Sequence, residues 1–335
     1  MKSIKKPSNT KDSNNIQLSN RYLQKSAIYG LAVGDALGVP YEASIRNTIN
    51  CTGMKGYGRH HQPPGTWPDD TALTLATLDA ITTFLGVRRF DLKKLKNNFI
   101  HWREFGKFSI DNNTFDIGIS TKKAINKMVM GYPLEECGNN TEGSKGNGSL
   151  MRMIPVAFYL KSEKDYEKRK ELCYFMSSIT HATDDCKIAC HFYVELVIKI
   201  VDEIQKNQNN NDINVERLIN ETTEEMKDEL MMNRVESEKE KSPFERIINH
   251  SLSKLTREEI RSHGYVIDTL EATLWCILKN DNYKDTMLCA VNLGHDTDTV
   301  AAVAGGIAGI LYGYEGIPQE WINQLRGKKI IDSLL

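Results

Sequence analysis

Gly294-His295-Asp296-Thr297-Asp298-Thr299, continuing as Val300-Ala301-Ala302-Val303-Ala304-Gly305-Gly306-Ile307-Ala308-Gly309-Ile310-Leu311, is the stretch that decides the fold. Its second part is apolar with a helical pattern, yet built from very small residues. Glycine disfavours a helix interior by about 1 kcal/mol relative to alanine. Glycines kept at Gly305, Gly306 and Gly309 therefore predict close packing against another helix, directly behind the acidic residues and holding them rigidly. The first part puts two carboxylates and a hydroxyl at a loop-to-helix junction. A similar group stands far upstream, Gly65-Thr66-Trp67-Pro68-Asp69-Asp70-Thr71. Hard cations such as Mg²⁺ and Mn²⁺ take oxygen ligands, and a two-metal site takes several carboxylates. Asp296 and Asp298 alternate as in an extended loop, so both can face one point while Thr297 turns away. Thr299 then begins the helix and offers a hydroxyl.

Helix capping is the competing explanation, because Asp and Thr are favoured N-caps and acidic residues suit the first turn. It is the better reading of either cluster alone. Both clusters together point further, since four carboxylates brought near one another repel unless cations lie between them. The expectation is that the two converge on divalent metal at a hydrolytic site.

Outward from these clusters the chain reads as helix after helix. Ala27, Leu31, Ala32, Ala36 and Leu37 recur at helical spacing until Gly38-Val39-Pro40 ends the pattern before Tyr41-Glu42. A loop rich in Gly, His and Pro runs from Gly53 to Gly65. A helix is expected from Asp69 through Leu73, Ala76 and Leu78 to Ile81. Further helical patterns cover 92–105, 121–130, 151–160, 174–179, 185–206, 265–278, 283–291 and 298–311. The charged segment 215–255 reads as a solvated helical face. Long alternating runs are nearly absent, so the predicted class is all-α, a single domain over 18–335 with a central dinuclear metal cleft. Residues 1–17 are expected to be disordered or to contact a partner.

The 335 residues suffice for a full core, and 43 Lys+Arg against 44 Asp+Glu leave no basic footprint for nucleic acid. No apolar run reaches the roughly 20 residues that span a bilayer. The polar N-terminus lacks the apolar stretch of a secretory signal. Seven cysteines without framework spacing suit a reduced, cytoplasmic chain. Cys186, Cys190 and His191 read as buried residues of one helix rather than a zinc site.

The loop Gly143-Ser144-Lys145-Gly146-Asn147-Gly148-Ser149 enters an apolar segment. Backbone N–H groups of such a loop can cradle phosphate. The spacing is neither a P-loop nor a dinucleotide fingerprint, and an ordinary turn explains it equally well. His181, after an apolar segment, reads by itself as a structural histidine.

Taken in order, these segments resemble the ADP-ribosylglycohydrolase family. The resemblance rests on Gly34-Asp35-Ala36-Leu37-Gly38 with Glu42, Trp67 to Thr71, Gly146 to Arg152 with Pro155, Thr180-His181, Gly264 to Glu271, and Gly294 to Gly313. It implies an all-α fold with two metal ions, Mg²⁺ or Mn²⁺, in a central cleft. By position, Asp69, Asp70, Asp296, Asp298 and Thr299 match the metal ligands. Glu42 matches an acidic residue near the metals that positions substrate or water. Gly146, Asn147, Gly148, Ser149 and His181 match positions that contact ADP-ribose. Asp116 resembles an acidic position acting at the ribose in some bacterial members, and is grouped with Glu42 as catalytic.

The implied reaction is hydrolysis of the bond between ribose C1″ and a protein side chain. Arginine is the favoured acceptor, with serine-linked ADP-ribose and O-acetyl-ADP-ribose left open. A non-catalytic ADP-ribose-binding or toxin-neutralising protein is the alternative. The implied partners are an ADP-ribosylated protein substrate and an ADP-ribosylating toxin or transferase. Pro68 departs from the pattern, because the family usually has a metal-ligating Thr or Ser there. Water, Thr66 or Thr71 would then have to supply that oxygen.

Overall fold

The small residues of the C-terminal helix do lie against another helix, and that pairing is the spine of the molecule. The computed structural model describes residues 4–5, 19–84, 87–207, 212–232 and 242–335. Strand β1 (Ile4–Lys5) comes first, then α1 (Asn20–Gly38) and α2 (Asp69–Asp79). Strands β2 (Ile81–Phe84) and β3 (Val87–Phe90) form an antiparallel hairpin, Ile81 opposite Phe90. Next are α3 (Leu92–Phe105), α4 (Ile119–Val129), α5 (Ile154–Leu160), α6 (Tyr166–Ser178) and α7 (Asp184–Lys206). Strand β4 (Asp212–Ile213), α8 (Val215–Glu225), α9 (Lys227–Met231) and α10 (Glu245–Ile248) follow. The chain ends with α11 (Val266–Lys279), α12 (Tyr283–Val291), α13 (Thr297–Tyr312), α14 (Gln319–Gln324) and α15 (Lys328–Asp332).

Helix α13 is buried along its whole length and runs antiparallel to α1. A Cβ on Gly30 would overlap the Gly305 backbone, one on Gly34 the Ala301 backbone, and one on Gly309 the Ser26 carbonyl. Only missing side chains allow this approach. The contact continues to Gly38, which lies against the backbone of Asp298, and the Thr297 hydroxyl donates to the Gly38 carbonyl at 2.8 Å. The end of α1 and the start of α13 therefore meet at one point, although some 260 residues separate them in sequence. Helices α11 and α12 pack on α13, and α7 lies behind, its Tyr193 hydroxyl donating to Val303 at 2.9 Å.

Trp67, fully buried, donates its indole N–H to the Phe108 carbonyl at 3.1 Å and fixes the approach to α2. No helix among the described residues is long and apolar enough to cross a membrane. Cys186, Cys190 and His191 are buried on α7, as expected, and His191 Nδ1 lies 3.0 Å from Glu229 Oε2.

Four expectations need correction. Helix α2 stops at Asp79, because Ile81-Thr82-Thr83-Phe84 is β-branched and aromatic and pairs with Val87–Phe90 instead. The segment 215–255 is not a solvated face throughout. Val215, Leu218, Ile219, Thr222 and Thr223 of α8 are buried at the i, i+3, i+4, i+7, i+8 spacing of one apolar stripe. Asp296 and Asp298 do not share an extended loop, since Asp296 is the N-cap of α13 and Asp298 is in its first turn. The helix expected over 174–179 begins at Tyr166, capped by the Asp165 carboxylate. Of residues 1–17, Ile4 and Lys5 pair with Ile213 and Asp212, and the remainder lies outside the described residues.

Candidate metal centre and its cavity

Three helices each deliver a buried carboxylate to the point where α1 meets α13. Asp35 comes from α1, Asp70 from α2 and Asp298 from α13, at 0%, 1% and 1% exposure. One oxygen of each lies within 4.8 Å of the others. Asp35 Oδ2 accepts from the Thr71 N–H at 2.9 Å and the Thr71 hydroxyl at 2.5 Å. Asp298 Oδ1 accepts from the Thr299 N–H at 3.0 Å. Asp35 Oδ1, both oxygens of Asp70 and Asp298 Oδ2 have no hydrogen-bond partner among the described residues.

Burying an ionised carboxylate in such surroundings costs several kcal/mol. The cluster must therefore bind protons or cations. Burial first, then the Thr71 bonds working against it, leave the Asp35 carboxyl pushed up to about 8. Burial, followed by repulsion from its neighbours, holds Asp70 and Asp298 well above the usual carboxylate range. Unpaired buried oxygens on three converging helices are the donor set a hard cation fits. Neither Pro68 nor Asp296, the N-caps of α2 and α13, makes a side-chain capping bond.

Asp69 and Thr299, the chain neighbours of Asp70 and Asp298, help to wall a cavity of about 510 Å³, together with Glu42, Asp116, Asp296 and others. Asp69 and Asp296 are raised mainly by burial. Asp116 is pushed up to about 6 by burial and then by Glu42. Backbone stapling brings Glu42 opposite Asp296: the Ala43 N–H donates to the His295 carbonyl at 2.7 Å, and the His295 N–H to the Ser44 carbonyl at 2.8 Å. Asn147 Nδ2 donates to Asp296 Oδ2 at 2.7 Å and to the Thr269 hydroxyl at 2.8 Å, fixing that carboxylate.

The third wall is Gly146, Asn147, Gly148 and His181. A Cβ on Gly148 would come within 2.8 Å of His181 Cε1, so glycine lets the loop lie on the ring. Burial, helped by nearby Arg152, drops His181 to about 3, and it is neutral at physiological pH. Its Nδ1 lies 2.9 Å from the Thr180 hydroxyl, which accepts from Arg152 Nη2 at 3.0 Å. When that hydroxyl gives its own proton to Nδ1, Nε2 carries the ring proton.

A family model for ADP-ribosylglycohydrolases matches residues 17–335. The chain belongs to the ADP-ribosylglycohydrolase family. It is a hydrolase of that class. It is 32% identical over 314 residues to the ADP-ribosylarginine hydrolase Tri1 of Pseudomonas putida, covering 92% of this chain and 76% of the relative. It is 25% identical over 309 residues to the ADP-ribosyl-[dinitrogen reductase] glycohydrolase of Rhodospirillum rubrum, covering 89% and 88%. A solved structure described as an ADP-ribosylglycohydrolase-related protein complex superposes with TM-score 0.71 at 27% identity, covering 94% of this chain and 96% of that one. The all-α expectation is met in this helical family fold.

Within this ADP-ribosylglycohydrolase, most of the residues singled out from sequence gather at one place. Asp69, Asp296, Thr299, Glu42, Asp116, Gly146, Asn147, Gly148 and His181 line the cavity, while Asp70 and Asp298, next in sequence to Asp69 and Thr299, belong to the buried cluster with Asp35. Ser149 does not join them. It turns inward ahead of the 3₁₀ turn Leu150–Arg152, and its hydroxyl takes a bond from Ser177 at 3.0 Å and from the Cys190 thiol at 3.4 Å. Asn147 is committed as well, its N–H donating to the Gly264 carbonyl at 3.1 Å and its side chain to Asp296.

At Pro68 both candidate hydroxyls already give their protons elsewhere, and each keeps an oxygen lone pair. Thr66 donates to the Pro63 carbonyl and accepts from Arg326, and Thr71 is bound to Asp35. Sequence reading missed Asp35 as a site residue. Its signal was a lone carboxylate inside the apolar helical run Leu31-Ala32-Val33-Gly34-Asp35-Ala36-Leu37. It also missed His60, whose Nε2 pairs with Glu42 Oε2.

Proposed function

We propose that this ADP-ribosylglycohydrolase removes ADP-ribose from arginine side chains of modified proteins, using two divalent cations, Mg²⁺ or Mn²⁺. The observation that carries the reading is a set of buried carboxylate oxygens without a hydrogen-bond partner among the described residues, on residues next in sequence to the acidic lining of a cavity of about 510 Å³. That volume lies within the range of small-molecule sites. Asp35, Asp69, Asp70, Asp296, Asp298 and Thr299 are the residues that would hold the cations. When bound, divalent cations supply Lewis-acid chemistry that orients ribose hydroxyls and polarises water.

The chain's own residues do the rest. His181, neutral and donating from Nε2, suits a pyrophosphate or ribose oxygen, and the Gly146–Gly148 loop lets substrate approach closely. Glu42 takes a proton from the attacking water as its oxygen bonds to C1″. The C1″–N bond breaks, and the leaving guanidine nitrogen takes a proton from Asp116. The products are ADP-ribose and the free side chain. The Glu42 carboxylate also gives the cavity an acidic wall, which suits a cationic guanidinium better than a serine hydroxyl. The names of two relatives, ADP-ribosylarginine hydrolases at 32% and 29% identity, support the same acceptor. The partner is a protein already modified by an ADP-ribosyltransferase or toxin, whose reaction supplies this substrate.

The test offers arginine-linked and serine-linked ADP-ribosyl proteins and O-acetyl-ADP-ribose, each with Mg²⁺, Mn²⁺ or chelator, and measures free ADP-ribose. Release from the arginine conjugate that needs cation and is lost in Asp296→Ala is the expected result. Release from the serine conjugate alone would overturn the acceptor. Binding of ADP-ribose without any release would overturn catalysis and favour a binding protein, the reading that Pro68 supports.

A further inference from the structure

The loop that carries His60 reaches Glu42 at the cavity wall. His60 Nε2 bonds to Glu42 Oε2, and the two side chains are 16% and 22% exposed. Glu42 lines the cavity and His60 does not. One ligand atom each of Glu42, His60 and Asp116 lies within 4.8 Å of the others. The three come from three separate connections: Glu42 after α1, His60 in the 53–65 loop, and Asp116 between α3 and α4.

The imidazole is itself held. Its ring lies 5.3 Å from Phe115 at a 47° tilt, and its backbone carbonyl accepts from Gln62 Nε2 at 3.1 Å. The Tyr57 N–H donates to the Gln62 carbonyl at 2.5 Å and the Arg59 N–H to the Pro40 carbonyl at 3.1 Å, which ties the loop to the segment leading into Glu42. Asp116 adopts a left-handed backbone, φ 54°, that places it beside the pair.

Two carboxylates sharing a wall repel, and a glutamate side chain has many rotamers in which to retreat. A donor bonded to Glu42 removes that freedom.

We propose that His60 is a positioning residue, whose Nε2–H clasps Glu42 and keeps it facing the cavity beside Asp116. This rests on the function proposed above and adds a residue to it. The imidazole does two separable things: it donates a hydrogen bond through Nε2, and it packs a flat ring on Phe115. His60→Phe keeps a ring without the donor. His60→Gln keeps an N–H at a similar reach without the ring.

The experiment measures kcat and KM for ADP-ribosyl-arginine protein, together with thermal midpoints and crystal structures, for His60→Ala, His60→Phe and His60→Gln. Removing a group that orients a reacting residue typically costs ~10–100-fold. That loss is expected in kcat for the Ala and Phe variants, with KM little changed. His60→Gln is expected to recover most of it. In the crystal structures Glu42 turns away from the cavity in His60→Phe and stays in His60→Gln.

Full activity in His60→Phe, or rescue by Phe and not Gln, would show that the ring merely fills space, and would overturn the proposal. Loss that tracks a fall in thermal midpoint across all three variants would overturn it as well. Absence of release by the unmutated protein from every ADP-ribosyl substrate would instead sink the function proposed above. The position of Glu42 in the crystal structures would then still decide the clasp.

Discussion

Asp70 has both carboxylate oxygens buried and without a hydrogen-bond partner among the described residues, so Asp70→Asn is the sharpest probe of the candidate metal centre. In the metal-free protein the cluster carboxyls sit above their ordinary range, Asp70 well above and Asp35 at about 8. A carboxyl raised in the folded state is protonated there and ionised in the unfolded chain. Stability from that source is present at low pH and lost as pH rises from the ordinary value of 3.8 towards about 8. At pH 8 in EDTA the wild-type protein therefore carries a penalty that Asn, neutral at every pH, does not.

Cation reverses this. A ligand at one hundred times its Kd stabilises the folded state by about 2.7 kcal/mol per site. At about 2.1 cal/mol/K per residue, unfolding 335 residues carries an entropy of about 0.7 kcal/mol/K, so each site is worth about 4 °C in midpoint. Differential scanning calorimetry at pH 8, in EDTA and then in Mn²⁺, is the assay. Asp70→Asn is expected to melt above wild type in EDTA and to gain at least one site's worth less in Mn²⁺. A wild-type midpoint indifferent to Mn²⁺ and Mg²⁺, or an equal gain in the variant, would refute the reasoning.

Asn147→Ala leaves Asp296 Oδ2 without its 2.7 Å donor, and Mn²⁺ affinity by calorimetric titration is expected to weaken ~10–100-fold. Gly305→Ala drives a methyl into the Gly30 carbonyl, and urea unfolding is expected to show a loss of about 1–3 kcal/mol together with weaker Mn²⁺ binding, since the same contact sets Asp35 against Asp298. Unchanged values in both measurements would mean that the helices separate without consequence for the site. Burial lowers His191, but its bonds to Glu195 and Glu229 outweigh that and leave it raised. Its contribution is full below 6.5 and fades as pH climbs through the folded value, so His191→Gln should cost more midpoint at pH 6 than at pH 9, with saturating Mg²⁺ throughout.

Several features were readable from residues alone because they depend on neighbours in the chain. Helical period marked α1, α3, α12 and α13, the last two almost to their ends. Small residues at 301–309 announced a close helix contact, since glycine in a helix interior needs a reason. The Asp pairs, the glycine loop and His181, taken in order, pointed to the family. What the chain alone left open was which of two sound local explanations applied. Asp296 and Asp69 look equally like caps and ligands in the chain, and which carboxylates they meet is set only by the way α1, α2 and α13 come together. Ser149 belongs to the same loop as Gly148, yet the backbone turns its hydroxyl into the core. Asp35 and His60 gain their meaning from Asp298 and Glu42, which reach them through the antiparallel pairing of α1 with α13 and through the loop over Pro40. Sequence therefore determined the helices, the chemistry of the side chains and the family. Tertiary structure decided which carboxylates share a buried volume, because a charge's cost and its partners depend on distance through space rather than along the chain.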